Sequence, residues 1–341
     1  MGRPCSDDSL YSDYYPEIVA AELEFSEDET ERYKTMPIPK RPSFANATDG
    51  KPSAAAFPAP KTQGTTPLLP KTEQTVDGWG DCKRGHFIGL HGTGGAGKST
   101  LAAMLPGRTL FIDLEGSLKI IRPKLEAMGL LANIAPKFLK YDSKAPAAAW
   151  NDLMAFLSSD VAKGYDNIVI DSFTRAQEWA AQNCIESIPG DSATIRKSLE
   201  QWMYGKGAQL VFDKFAPIYP LIDDICDAGA NVLAIAHSEP TRFTNADGGD
   251  YWQNQPRLVQ GEKGKAPGRS TFLEKTDHLL YLAADVSVEK GKAKGGMTRT
   301  LYTGGIATMM AKSRTVQGCA FEVPNWDEAD GALFDWSQII H

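Results

Sequence analysis

From about residue 84 onward the chain alternates short apolar runs with longer segments of helical period. The runs at 86–91, 109–113, 167–171, 231–236 and 278–284 are almost free of polar interruptions. That is the pattern of strands covered on both faces. Between them, 146–158 places Trp150, Leu153, Met154 and Leu157 at helical spacing, with Asp142 or Ser143 near its start and Pro146 in its first turn. A second helix is predicted from Phe173 through Ala176, Ala180 and Cys184. The stretch 207–228 is broken by Pro217 and Pro220 into two pieces. A further strand is expected at 307–313. Strands alternating with helices predict an α/β fold around a mostly parallel central sheet flanked by helices.

The first 80 residues do not share this pattern. Residues 1–33 carry ten acids against Arg3 and Arg32, and 34–75 are rich in Pro, Ala, Lys and Thr. With no sustained apolar period, ordering this stretch costs more than burial returns, so a disordered tail is expected at 1–80. Leu10, Tyr11, Tyr14, Tyr15 and Ile18 among the acids leave open a segment that docks on a protein partner. The predicted organisation is a tail at 1–80, a catalytic domain at 81–320 and a short C-terminal extension at 321–341 packed on the core.

Composition excludes some classes. The net charge of −7 over 341 residues rules out a histone-like polycation, though not a local basic groove. Cys5, Cys82, Cys184, Cys226 and Cys319 are scattered with no CxxC, which argues for reduced thiols and against a disulfide framework or zinc site. No apolar stretch approaches the ~18 residues of a membrane span, and no signal pattern opens the chain. A cytoplasmic protein without membrane contact is expected.

The strongest chemical signal is Gly92-Thr93-Gly94-Gly95-Ala96-Gly97-Lys98-Ser99-Thr100. It satisfies the P-loop pattern G-x-x-x-x-G-K-[ST], follows a strand-like run and precedes helix-forming Leu101–Leu105. Glycines let successive N–H groups turn inward on phosphate oxygens. Lys98 would reach the outer phosphates of ATP, and the Ser99 hydroxyl would hold Mg2+. A second metal-side carboxylate is needed at the end of a neighbouring strand. Asn167-Ile-Val-Ile-Asp171 supplies it, 73 residues after Lys98. An added strand between the two motif strands, Thr109–Asp113, leads to Glu115, the candidate base that polarises the attacking water; Asp113 is the runner-up. Burial beside ATP would tune its pKa for that role. Ala234-Ile-Ala-His237 closes the next buried strand, where a polar residue can sense the γ-phosphate or serve structure alone.

With these residues in view, 84–315 resembles the RecA-type ATPases, and more closely the RecA-like nucleotide-binding proteins of bacteriophages of the single-strand annealing recombinase type. The resemblance rests on the P-loop and on Phe111-Ile-Asp-Leu-Glu115, Tyr165–Ser172, Ala234–His237, Asp277-His-Leu-Leu-Tyr281 and Ala311-Lys-Ser-Arg314. It implies a RecA-like P-loop core that binds and hydrolyses ATP with Mg2+, Glu115 as catalytic carboxylate and His237 as phosphate sensor. It also implies a K-x-R element, Lys312 and Arg314, that enters a neighbour's site in a homo-oligomeric ring or filament. Those two could equally be solvated strand ends. Thr93, where ParA-like ATPases carry lysine, argues against that class.

RecA-like proteins bind single-stranded DNA through loops after the sensor strand. Here 239–270 carries Arg242, Arg257, Lys263, Lys265 and Arg269 against Asp247, Asp250 and Glu262, with Phe243, Tyr251 and Trp252 interleaved. The expected function is ATP-driven action on single-stranded DNA in phage recombination or replication. A hexameric helicase or other DNA motor, and a nucleotide-dependent switch with little turnover, are the alternatives.

Overall fold

The computed structural model describes residues 83–160, 164–187, 198, 206–243, 248–261, 265–289, 292–316, 318–325 and 332–340. The expected tail and its docking segment lie outside them. The chain divides into Met1–Gln74 and Thr75–His341, and every described residue belongs to the second unit.

The strands are β1 (Phe87–Gly92), β2 (Thr109–Asp113), β3 (Ile134–Phe138), β4 (Asn167–Asp171), β5 (Asn231–Phe243), β6 (Tyr251–Pro256), β7 (His278–Glu289), β8 (Lys292–Tyr302), β9 (Lys312–Ser313) and β10 (Ala320–Val323). The helices are α1 (Lys98–Ala102), α2 (Ser117–Ala127), α3 (Pro146–Leu157), α4 (Phe173–Ser187), α5 (Lys206–Phe215), α6 (Ile218–Asp227) and α7 (Gly268–Lys275). Strand order is β10-β8-β7-β1-β5-β4-β2-β3, with β6 on β5 and β9 on β7. The run from β3 to β7 is parallel, whereas β8 and β10 are antiparallel additions.

Successive residues of each central strand point to opposite faces, and both faces are covered. Phe87, Ile112, Ile168, Ile170 and Val232 pack with Trp150, Phe173, Phe215 and Ile222 from α3 to α6. Ile88, Leu90, Phe111, Val169 and Leu233 pack on the other face with Leu101 of α1, Leu125 of α2, and the C-terminal Phe334, Trp336 and Ile339. This double coverage explains why the central strands read as uninterrupted apolar runs. Neither Asp142 nor Ser143 caps α3; its first turn instead has the Ala147 N–H on the Glu186 carboxylate at 2.8 Å.

Several elements differ from expectation. β3 is an edge strand with Pro136 at its middle and half-exposed side chains, so it lacks the apolar signature of its neighbours. β5 runs on beyond 236 to Phe243 and turns back as β6. The strand expected at 307–313 shrinks to the two residues of β9. In the sheet, the strand interposed between β1 and β4 is β5, while β2 lies beyond β4. The added-strand reading of β2 therefore holds in sequence order only. Among the described residues no helix is long and apolar enough to cross a membrane.

Candidate nucleotide site

The parallel register brings the carboxyl ends of four strands together. Gly92 pairs with His237, Asp171 with Ile235, and Asp113 with Asp171. Open α/β sheets bind ligands at this end. Gly92 must be glycine, because an added Cβ would meet the Leu282 carbonyl oxygen at 2.3 Å. Gly95 and Gly97 take φ of 76° and 95°, a region that L side chains rarely adopt. A Cβ at Gly94 or Gly95 would meet nothing within 4 Å, so the loop faces open space of the kind an anion fills.

Lys98 sits inside this curve. It is 7 % exposed, and its Nζ donates to the carbonyls of Gly92 and Thr93, both at 2.9 Å. Burial pulls its pKa down, opposed by the charges of Asp171 and Glu115. The ammonium is thus parked on neutral acceptors in a site that also faces two carboxylates. Arg299 of β8, which sequence reasoning missed, donates its Nε–H to the Ala96 carbonyl at 3.1 Å and sets a second cation against the loop.

On the metal side, the Ser99 hydroxyl donates to Asp171 Oδ2 at 2.6 Å, and Ser117 at the start of α2 donates to the same oxygen at 3.0 Å. Asp171 is 2 % exposed, and burial pushes its pKa up to about 6, with Glu115 and Asp113 adding to the rise and the two hydroxyls resisting it. Among the described residues no group of three or more His, Cys, Asp or Glu forms a metal cluster. One carboxylate and one hydroxyl fit Mg2+, which relies on substrate phosphates and water for its remaining ligands. Ser99 and Asp171 would hold the ion, which when bound supplies charge neutralisation at the phosphate oxygens. Ser117 could have been suspected from a hydroxyl residue directly after the turn at Gly116.

Asp113 and Glu115 separate cleanly. Asp113 is buried and accepts the N–H groups of Glu115, Gly116, Ser117 and Leu118 between 2.6 and 3.2 Å. It anchors the start of α2 and has no free face for water. The Glu115 carboxylate instead accepts His237 Nε2–H at 2.8 Å and the Ser172 hydroxyl, both on Oε1. Burial alone would raise its pKa, as anticipated for a base. The bonds from His237 and Ser172, and the nearby Arg175, outweigh that and bring it down to about 2. Glu115 is an ionised carboxylate held by His237, which suits orienting a water better than strong proton abstraction.

A protein-family profile described as an AAA domain, AAA_24, matches residues 84–315, more than half of the chain. The chain belongs to the AAA_24 family. No curated protein matches it. Among solved structures, the flagellar accessory protein FlaH from Methanocaldococcus jannaschii is similar at 11% identity, covering 66% of this chain and 80% of that one, with a TM-score of 0.34. This AAA_24 protein has the RecA-like α/β fold of a P-loop ATPase.

The remaining expected residues of the AAA_24 chain fall in two places. β5 and β6 form a hairpin carrying Phe243 and Trp252, 41 % and 64 % exposed, with Phe243 and Tyr251 rings 5.1 Å apart. Its cations are largely engaged: Arg242 pairs with Asp250 at 2.8 Å and Arg257 with Glu178 at 3.1 Å. Arg269 is buried, bonded to Glu239, Gln255 and the Pro256 carbonyl, so it is a structural brace and no phosphate contact. Lys265 is exposed; Asp247, Glu262 and Lys263 lie outside the described residues. Lys312 and Arg314 sit beside the amino end of β7, where Lys312 pairs with Leu279 and Arg314 meets Asp277 at 3.4 Å. They are at the opposite end of the sheet from their own P-loop.

The raised Asp171 pKa yields a signed prediction. A carboxyl whose folded pKa lies above its unfolded one opposes folding once ionised, so its effect is nil below about pH 4 and complete above about pH 6. Without metal, Asp171→Asn should therefore be more stable than the wild type at pH 7, by roughly 1–3 kcal/mol. The advantage should vanish near pH 4, and Mg2+ with nucleotide should stabilise the wild type alone. Denaturant melts at the two pH values check this; equal stabilities at pH 7 would contradict it.

Proposed function

We propose that this AAA_24 protein hydrolyses ATP with Mg2+ while acting on single-stranded DNA in phage recombination or replication, as a ring or filament of identical chains. The observation that carries the reading is the continuity of β5. One strand holds His237 against Glu115 and then, six residues later, Phe243 at the aromatic hairpin. Whatever moves His237 moves the platform directly. Exposed Phe243 and Trp252 offer rings on which bases stack regardless of sequence.

In this reading Glu115 orients the water that attacks the γ-phosphate, and Lys98 leaves the Gly92 and Thr93 carbonyls to neutralise developing charge. His237 exchanges its bond to Glu115 for one to the γ-phosphate and frees the carboxylate. Catalysis is then mostly positioning and electrostatics. Lys312 and Arg314, remote from their own loop, complete the site of the next subunit. The resemblance to phage recombinase-type ATPases supports the biological setting.

Steady-state turnover with and without single-stranded DNA tests this. DNA should stimulate ATP hydrolysis, and Trp252→Ala should weaken DNA binding roughly 5- to 150-fold, the equivalent of one stack at ~1–3 kcal/mol. Because the described cations of the hairpin are mostly paired, affinity should fall only shallowly with salt. Turnover indifferent to DNA would overturn the DNA reading, and strand separation on a forked duplex would convert it into a motor. For the shared site, Arg314→Ala chains mixed with Lys98→Ala chains should regain part of the activity each lacks alone. No recovery at any ratio would place the whole site within one chain.

A further inference from the structure

His91 is the residue directly before the first P-loop glycine. It lies in β1 between Ala236 of β5 and Tyr281 of β7 and is fully buried, at 0 % exposure. Its ring spans two contacts, Nε2 to the Met310 carbonyl at 2.6 Å and Nδ1 to the Ser238 hydroxyl at 2.8 Å, with the Tyr281 ring edge-on at 5.0 Å. Burial pushes its pKa down to about 4; the charges of Lys98 and Arg269 act in the same direction and the Met310 carbonyl against it. The ring is therefore neutral near pH 7. A carbonyl only accepts, so Nε2 carries the proton, Nδ1 accepts, and Ser238 donates.

Both partners belong to segments outside the P-loop strand. Ser238 begins the part of β5 that pairs with β6, opposite Pro256. The Met310 N–H donates to the Asn254 carbonyl of β6 at 2.9 Å, and the Asn254 N–H to the Thr308 carbonyl at 2.9 Å. Two residues beyond Met310 is Lys312. One imidazole thus fastens the strand that feeds the P-loop to the hairpin and to the segment leading into Lys312 and Arg314.

We propose that His91 is a positioning residue that couples the P-loop to the β5–β6 hairpin and to the 306–314 segment. Lys98 holds the Gly92 carbonyl at 2.9 Å until phosphate draws the ammonium away, so occupation of the loop is felt at the peptide joining Gly92 to Thr93, one residue beyond His91. The imidazole cannot slip independently, because doing so would strand a buried donor and acceptor without partners. A displacement at Gly92 is consequently delivered to Ser238 and Met310 together. The inference rests on the nucleotide site and not on what the hairpin binds.

Amide hydrogen exchange on the full chain, with and without Mg2+ and a non-hydrolysable ATP analogue, tests it. In the wild type, nucleotide should alter exchange in P-loop peptides and also in peptides covering 248–256 and 306–314. In His91→Leu the P-loop response should persist while both distant responses fall several-fold. His91→Gln, which keeps a donor at the ε position, should restore the 306–314 response. Ser238→Ala, at a half-buried position, should lose the hairpin response and keep that of 306–314, and it decides the matter if the Leu variant does not fold. Distant responses of wild-type size in His91→Leu or in Ser238→Ala would overturn the proposal. So would a wild-type response confined to the P-loop. A wild type with no P-loop response would overturn the nucleotide reading itself, and this inference with it.

Discussion

The whole site depends on one short contact, the Ser99 hydroxyl on the Asp171 carboxylate at 2.6 Å. It joins residues 72 positions apart in the chain, and it exists because β1 and β4 are both parallel neighbours of β5 and end at nearly the same level. A single-residue slip of β4 against β5 would turn Asp171 to the other face of the sheet. The apolar packing on both faces is what enforces the register, with Ile168 and Ile170 committed to one layer and Val169 to the other. Only in that frame does a carboxylate stay ionisable while almost fully buried. Only there does Lys98 lie within the same dry space, its charge offset by Asp171 and Glu115.

The other end of the sheet is organised by a different logic. Arg84 gathers Asp223, Asp227 and Asp277, and Arg314 shares Asp277 with it. These are partly exposed ion pairs, individually worth little. They fix where the chain enters β1 and β7 and leave Lys312 and Arg314 facing away from their own nucleotide site. The P-loop and these outlying cations thus lie at opposite ends of the sheet.

Much of this was legible in the sequence because central strands buried on both faces announce themselves as apolar runs. Phe111, Val169 and Leu233 stand in such runs, and the P-loop follows another, at 86–91. β3 and β8 escaped notice for the complementary reason: Ile134–Phe138 is a half-exposed edge interrupted by Pro136, and Lys292–Tyr302 is rich in polar residues and glycine. Asp113 and Glu115 could be ranked from sequence but not separated. Only the structure shows that four backbone amides saturate Asp113, while Glu115 turns to His237. Arg269 looked like a phosphate contact by its charge, yet it braces the hairpin from within. His91 gave no local signal at all, since its partners lie 147 and 219 residues away.

A triphosphate gripped by an ammonium, a ring of amides and a carboxylate-bound metal is the requirement on which every other role depends. Titration calorimetry of the full chain with ATP in Mg2+ measures this directly. The expected result is a saturable heat of association that Lys98→Ala abolishes and that chelating the metal sharply weakens. An absence of any heat with the folded wild-type protein, or a heat unchanged by Lys98→Ala, would contradict it.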